Sequence, residues 1–462
     1  MMMPLFFEGN QIKVILLIKR ITYLLLLILS PMKKQILPLA FLLLVFNLVL
    51  GQEETVSMVQ PKYQKEIDKL VKKKSIQQAF SIIDELESDT HEKLVELTEI
   101  PAPPFMEHKR AERFSEMLKD AGADRVWIDE VGNVLALRKG KDSTTTIALD
   151  AHLDTVFPEG TDVKVKMVGD TLYAPGVGDD TRGLVMVLTV LKAMNMANIK
   201  TTSDVLLVGT VGEEGLGDLR GVKHLFKKNE PKIDSWIAID GGELGRINNQ
   251  ALGSYRYKIT FKGPGGHSWG AFGLANPHHA AGRAVAYFDD AARTYTASGP
   301  KTSYNIGRIG GGTSINSIPF ESWMEVDMRS VSPDRLIEIE EILIKETNRA
   351  LDDYNKMVDK GPQLSVDIEK IGDRPSGELS PELPLIQRSM AATKAFKTEP
   401  FLTRGSTDSN IPISLGIPAV TLGRGGKAGG AHSLGEWWVN DKTGPESIKL
   451  ALLILVSEAG LE

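Results

Sequence analysis

Residues 144–156 read TTTIALDAHLDTV, and after a Gly-rich turn residues 174–197 read APGVGDDTRGLVMVLTVLKAMNMA. The first is a short apolar run that ends in a loop carrying His152 and Asp154; the second is a turn carrying Asp179 and Asp180 that opens into an apolar helix. The grammar repeats downstream in SDVLLVGTVGEEG (203–215), SWIAIDGGE (235–243) and IPAVTLGRGG (417–426), with SIKLALLILVSEA (447–459) as a closing helix. Short apolar strands alternating with helices predict an α/β domain, a mostly parallel twisted sheet with helices on both faces. Upstream, a helical pattern runs from about Ser81 to Pro101, and a second helix over roughly 107–121 leads into WIDEVGNVLALRKG (127–140).

Around Ser254 the pattern changes. YRYKITFKG (255–263) alternates as a half-buried strand does, and a helix over 276–294, the strands TSYNIGRI (302–309) and ESWMEVDMRSV (321–331), a helix from Pro333 to about Asn355 and the strand QLSVDIEKIG (363–372) follow. These predict an inserted α+β domain with an antiparallel sheet. The expected organisation is a leader over 1–51, a polar and solvated lead-in over 52–78, a first catalytic segment over 79–254, the insertion over 255–373 and a second catalytic segment over 374–462.

Composition limits the chemistry. The 462 residues carry 54 Lys and Arg against 60 Asp and Glu, a net charge of −6, which leaves no electrostatic footprint for nucleic acid. With no cysteine there is no disulfide, no thiolate zinc and no cysteine nucleophile, so any metal rests on His, Asp and Glu. GRGGKAGG (423–430) lacks the spacing of a phosphate loop. The leader holds two apolar runs, 14–30 and 36–50, and the second follows Met32-Lys33-Lys34. Its length, short of the ~20 residues that span a bilayer, and the small residue at Gly51 predict a signal peptide starting at Met32 and cleaved near Gly51, with export to the periplasm or outside. A retained membrane anchor is the alternative. The absence of cysteine excludes a lipid-modified one.

In an open α/β sheet, ligands bind beyond the carboxyl ends of the strands. His152 and Asp154, Asp179 and Asp180, Glu213 and Glu214, and Asp240 all follow predicted strands or open a helix there, and His432 lies in GGAHSLGEWW. Each alone is ordinary: an Asp before a helix is usually a cap, and adjacent glutamates are usually a solvated turn. Crowding so many carboxylates at one sheet edge is costly unless cations neutralise them.

The motifs HLDTV (152–156), APGVGDD (174–180), GEEG (212–215), GGHS (265–268), GSTD (405–408) and GAHS (430–433) together resemble the dizinc metallopeptidases, which include peptidase T, aminoacylases, succinyl-diaminopimelate desuccinylase and glutamate carboxypeptidase-like enzymes. The resemblance runs from about Leu97 to the C-terminus and implies a zinc exopeptidase fold whose inserted domain is a dimerising lid. It implies two Zn²⁺ per chain, with Mn²⁺ or Co²⁺ as the alternative metals, Asp179 bridging, His152 and Asp240 completing one site, and Glu214 and His432 the other. Asp154 would orient His152 through its other ring nitrogen. Glu213 would be the general base. His267 would reach across a homodimer interface to the oxyanion, and Asn316, Arg329 and Arg374 would hold the substrate's backbone or carboxylate.

Two positions depart from the family pattern: Thr181 stands where many members have Lys, and Asp240 fits aminopeptidase-type members better than carboxypeptidases. The implied activity is hydrolysis of short peptides with a free amino end by metal-activated water. Deacylation of N-acyl amino acids is the alternative, and a non-catalytic binding protein on a peptidase fold is the alternative of another class. Sequencing the mature N-terminus of secreted protein should find a start within a few residues of Gln52. An intact Met1 or Met32 would contradict cleavage.

Overall fold

The computed structural model describes residues 59–462. The expected signal peptide and the alternative membrane anchor lie outside the described residues. Among the described residues no helix is long and apolar enough to cross a membrane.

The lead-in differs from expectation. Most of it is two helices, Pro61–Val71 and Lys74–Glu85, which bury Tyr63, Ile67, Leu70, Ile76 and Ala79. The apolar residues at 63, 67 and 70 recur once per turn, a stripe that the surrounding lysines conceal in composition but not in periodicity. The first helix packs on Pro384–Ala395, where the Gln60 N–H donates to Gln387 Oε1 at 2.8 Å and Arg388 spans Glu66 and Glu458. The helical pattern expected from Ser81 to Pro101 is broken at Leu86, and its second part is Glu87–Thr98.

The main sheet has nine strands, in the spatial order Arg125–Ile128, Val134–Arg138, Asp204–Thr210, Thr146–His152, Ser235–Ile239, Ala419–Leu422, Arg246–Ala251 and Gly377–Glu378, with Phe401–Gly405 also pairing with Arg246–Ala251. The strands Asp204–Thr210, Thr146–His152, Ser235–Ile239 and Ala419–Leu422 are mutually parallel and nearly all buried. That burial on both faces is why they read as continuous apolar runs rather than as alternation. Helix Thr181–Met196 lies against the strand Thr146–His152 and is covered by Lys74–Glu85, Glu87–Thr98 and Thr443–Ala459. Enclosed along most of its length, it is buried at every residue from Thr181 to Leu191 and apolar at most of them.

The second sheet is four-stranded and antiparallel, in the order Thr302–Gly311, Glu321–Ser330, Gly253–Lys262 and Ser365–Arg374. Glu321–Ser330 alternates buried and half-buried residues along its whole length. Its buried side meets helices Pro277–Thr296 and Pro333–Asn355 around Ile259, Phe261, Phe288, Ile339 and Leu343. The crossing between the two sheets is tight at Gly253, where a Cβ would lie 2.6 Å from the Ser376 nitrogen and 2.8 Å from the Arg374 oxygen. Only glycine lets the outgoing and returning strands pass so closely.

Because Ile67 is fully buried, Ile67→Ala should lower the unfolding free energy by about 2–5 kcal/mol. Urea titration checks this, and an unchanged midpoint would show that the helix does not belong to the core.

Candidate active site

Four adjacent parallel strands deliver their following loops to one edge. His152 is the last residue of its strand, Glu213 and Glu214 come just after Thr210, Asp240 follows Ile239, and Arg424 follows Leu422. The turn before helix Thr181–Met196 supplies Asp179, and Asp180 caps that helix by accepting from the Gly183 N–H at 3.2 Å. His432 comes from the turn between Lys427–Gly429 and Trp437–Val439, with φ at +64° in the left-handed region that glycine favours.

The donor atoms converge. One from each of His152, Asp179 and Asp240 lie within 4.8 Å of one another, and so do those of Asp179, Glu214 and His432, so that Asp179 is common to both triads. His152 Nε2 stands 3.2 Å from Asp179 Oδ1, and His432 Nε2 is 3.2 Å from Asp179 Oδ2 and 2.8 Å from Glu214 Oε1. Imidazole nitrogens and carboxylate oxygens in two triads that share one carboxylate suit a pair of zinc-like divalent cations.

The surroundings hold these groups in place. His152 Nδ1 meets the main-chain oxygen of Asp154 at 2.9 Å, whereas the Asp154 carboxylate is 3.7 Å away. Asp154 thus meets the ring nitrogen with its main chain, while its carboxylate accepts the N–H groups of Glu213 at 3.0 Å and Glu214 at 2.8 Å. A main-chain carbonyl serves the imidazole equally well, which frees the side chain to fix the adjacent loop.

Glu436, which sequence reasoning passed over, accepts from the N–H groups of Gly176, Gly178 and Asp179 at 2.8–2.9 Å and so fixes the turn bearing Asp179. Arg424 was also missed. Its guanidinium lies 3.2 Å from Asp179, 3.3 Å from Asp180 and 3.5 Å from Asp240. The only signal available for it was its place after the run IPAVTL, at the same strand edge as the acids. At the position where many family members have Lys, Thr181 donates to the Gly176 oxygen, and the neighbouring Arg182 lies over the Trp438 ring.

Electrostatics follow from crowding. Burial works against ionisation of Asp179, but the Arg424 charge and hydrogen bonds from His152 and His432 outweigh it and hold the carboxyl well below the usual range. Burial and the neighbouring Asp179 charge push Asp240 up. Burial raises Glu213 well above an ordinary glutamate, and the Glu214 charge adds to this against the opposing Arg374. Arg374 Nη1 lies 3.0 Å from Glu213 Oε1, and its Nη2 also donates to the Glu213 main-chain oxygen.

A cleft of about 310 Å³ opens over this centre. Arg329 and Arg374 line it along with Asp179, Glu213, Glu214, Asp240 and His432. His267 and Asn316 do not. His267 lies on the short ladder Gly266–His267 with Ser317–Ile318 and Asn316 just beside it, where the Ser268 N–H donates to the Asn316 main-chain oxygen at 2.9 Å, and both are exposed.

Residues 148–456 match the family model described as Peptidase family M20/M25/M40. The uncharacterized protein YqjE of Bacillus subtilis is 24% identical over 348 residues, which cover 72% of this chain and 89% of that one. The aminopeptidase PepT of Bacillus cereus superposes with a TM-score of 0.63 at 20% identity, over 80% of this chain and 98% of that one. The YXEP protein of Bacillus subtilis, described as a dinuclear metal-binding peptidase, gives 0.59 at 16% identity over 82% and 100%. The chain belongs to peptidase family M20/M25/M40 and is a metal-dependent hydrolase.

Hydrogen bonds donated to the Asp179 and Glu214 carboxylates push the His432 imidazole up to about 10, so without metal it is protonated at neutral pH. Coordination needs the neutral ring. Metal uptake at pH 7 should therefore release protons, and apparent affinity should climb as pH rises toward about 10. Titration calorimetry in two buffers of different ionisation enthalpy measures the release, and identical heats would contradict it.

Proposed function

We propose that the protein is a zinc-dependent exopeptidase of the aminopeptidase, di- or tripeptidase type, with His152, Asp179 and Asp240 holding one cation and Asp179, Glu214 and His432 the other. The observation that carries this reading is the position of Glu213. It is a buried carboxyl of raised pKa, next in sequence to a ligand, in a cleft where the two donor triads meet. Two cations bound there would polarise the scissile carbonyl and acidify a water; Zn²⁺ is the expected metal, with Mn²⁺ or Co²⁺ as substitutes.

Glu213 takes the proton from the attacking water and returns it to the leaving amine nitrogen, a cycle for which a carboxyl of raised pKa is suited. Arg374 holds Glu213 in place through its side chain and its main chain. Arg329 offers a carboxylate its outer fork, since only its Nε is engaged, by Asp327 at 2.8 Å. His267 and Asn316 act in a homodimer, entering the site of a second copy. Support for that comes from their exposure beside Trp269, Phe272 and Ile315, large apolar side chains that are 82–103% exposed on the same lid. Export through the leader remains part of the proposal and rests on residues 32–51 alone.

One observation favours the second reading, deacylation of N-acyl amino acids. Every carboxylate lining the cleft already serves as ligand or base, which leaves no dedicated partner for a substrate ammonium. A panel of unblocked di- and tripeptides against N-acyl amino acids separates the two, and turnover of the latter alone would overturn the peptidase reading. Glu213→Gln should keep both metals and lose about 10²–10⁴ in kcat. Metal analysis with kinetics checks this, and a near-normal rate would refute the assigned base.

A further inference from the structure

Five arginines line the cleft: Arg246, Arg256, Arg329, Arg374 and Arg424. Four have carboxylate partners. Arg374 pairs with Glu213, Arg424 with Asp179, Asp180 and Asp240, and Arg256 and Arg329 share Asp327 through their Nε atoms at 3.1 and 2.8 Å. Arg246 has no acidic group within 4.0 Å among the described residues. Its Nε donates to Asn248 Oδ1 at 3.1 Å and its Nη2 reaches the Arg404 oxygen at 3.4 Å, so the head is aimed but its charge is unanswered.

The site is shaped around this head. A Cβ on Gly242 would lie 2.6 Å from Arg246 Cδ and 3.0 Å from its Nη1, so the guanidinium lies over a glycine shelf immediately after Asp240. A Cβ on Gly241 would stand 3.4 Å from Arg424 Nη2 and 3.6 Å from Arg246 Nη1, so both guanidiniums border that glycine. Arg424 is answered there by Asp179, Asp180 and Asp240, so the uncompensated charge at this edge is that of Arg246, which an entering anion would meet. Two divalent cations at the neighbouring triads would deepen the positive potential there.

We infer that Arg246 is an anion subsite for the substrate, distinct from the Arg329 fork, and that the preferred substrate is an acidic one carrying a side-chain carboxylate besides its terminal carboxylate. The two guanidiniums come from different sheets, Arg246 from the main sheet and Arg329 from the second, and both line the same cleft, one for each carboxylate of such a residue. The inference names the substrate class within the hydrolase reading above and rests on it.

The test uses the zinc-loaded full chain with glutarate and butyrate as probes, measured by titration calorimetry, and alanyl-glutamate against the isosteric alanyl-glutamine in kinetics. Wild type should bind glutarate about tenfold more tightly than butyrate and favour the glutamate peptide by a similar factor in kcat/KM. In Arg246→Ala both ratios should fall toward one. Arg246→Gln, which keeps a donor for Asn248, guards against a folding defect and should lose the ratios as well. Equal binding of the two probes by wild type, or ratios that survive both substitutions, would overturn the subsite. Hydrolysis of both peptides without preference would refute the subsite and leave the peptidase reading intact. A glutarate preference that depends on Arg246, with neither peptide cleaved, would uphold the subsite and refute the peptidase reading instead.

Discussion

Everything at this site turns on how a folded chain tolerates Asp179, Asp180, Glu213, Glu214 and Asp240 within one half-enclosed edge of a sheet. Burial disfavours each charge, and neighbouring charges compound the penalty. The chain meets part of that demand itself, by inserting the Arg424 guanidinium among Asp179, Asp180 and Asp240 and by setting His152 and His432 against the two oxygens of Asp179. Divalent cations bound at the two triads would meet the rest and would convert an electrostatic liability into a hydrolytic centre.

The loops that bear these groups have little regular structure of their own, so other anionic acceptors hold them. Asp154 takes the N–H groups of Glu213 and Glu214, and Glu436 takes three N–H groups around Asp179. Each is a buried carboxylate satisfied by main-chain donors, an arrangement that fixes the loops bearing Asp179, Glu213 and Glu214. Above them, Arg256 from the lid donates to the Gly215 oxygen, one residue beyond Glu214. The second sheet thus touches the loop bearing Glu213 and Glu214, and with Arg329 and Arg374 it lines the cleft.

Much of this was legible in sequence, for a physical reason. A strand buried on both faces has to be a continuous apolar run, so polar residues just past its end stand out; His152, Glu213, Glu214 and Asp240 were visible that way, and the mixed α/β fold with an inserted antiparallel sheet was visible in the change of hydrophobic period near Ser254. Residues whose partners lie far along the chain were not. Arg424 meets acids about 180–245 positions away, and Glu436 grips a turn nearly 260 positions earlier; an arginine in a Gly-rich turn and a glutamate before tryptophan carry no local mark of either duty. The helix Pro61–Val71 was hidden differently, because three apolar residues among lysines weigh little in composition although their spacing is helical. Family resemblance identified Asp154 as an orienting group, but the division of labour between its main chain and its carboxylate needed coordinates.

Anomalous diffraction from crystals grown with zinc tests the central claim most directly. The account requires two peaks per chain sharing Asp179, one completed by His152 and Asp240 and the other by Glu214 and His432. A single peak elsewhere, or none at this edge, would leave the carboxylates without their counter-ions and would contradict the assignment of the centre.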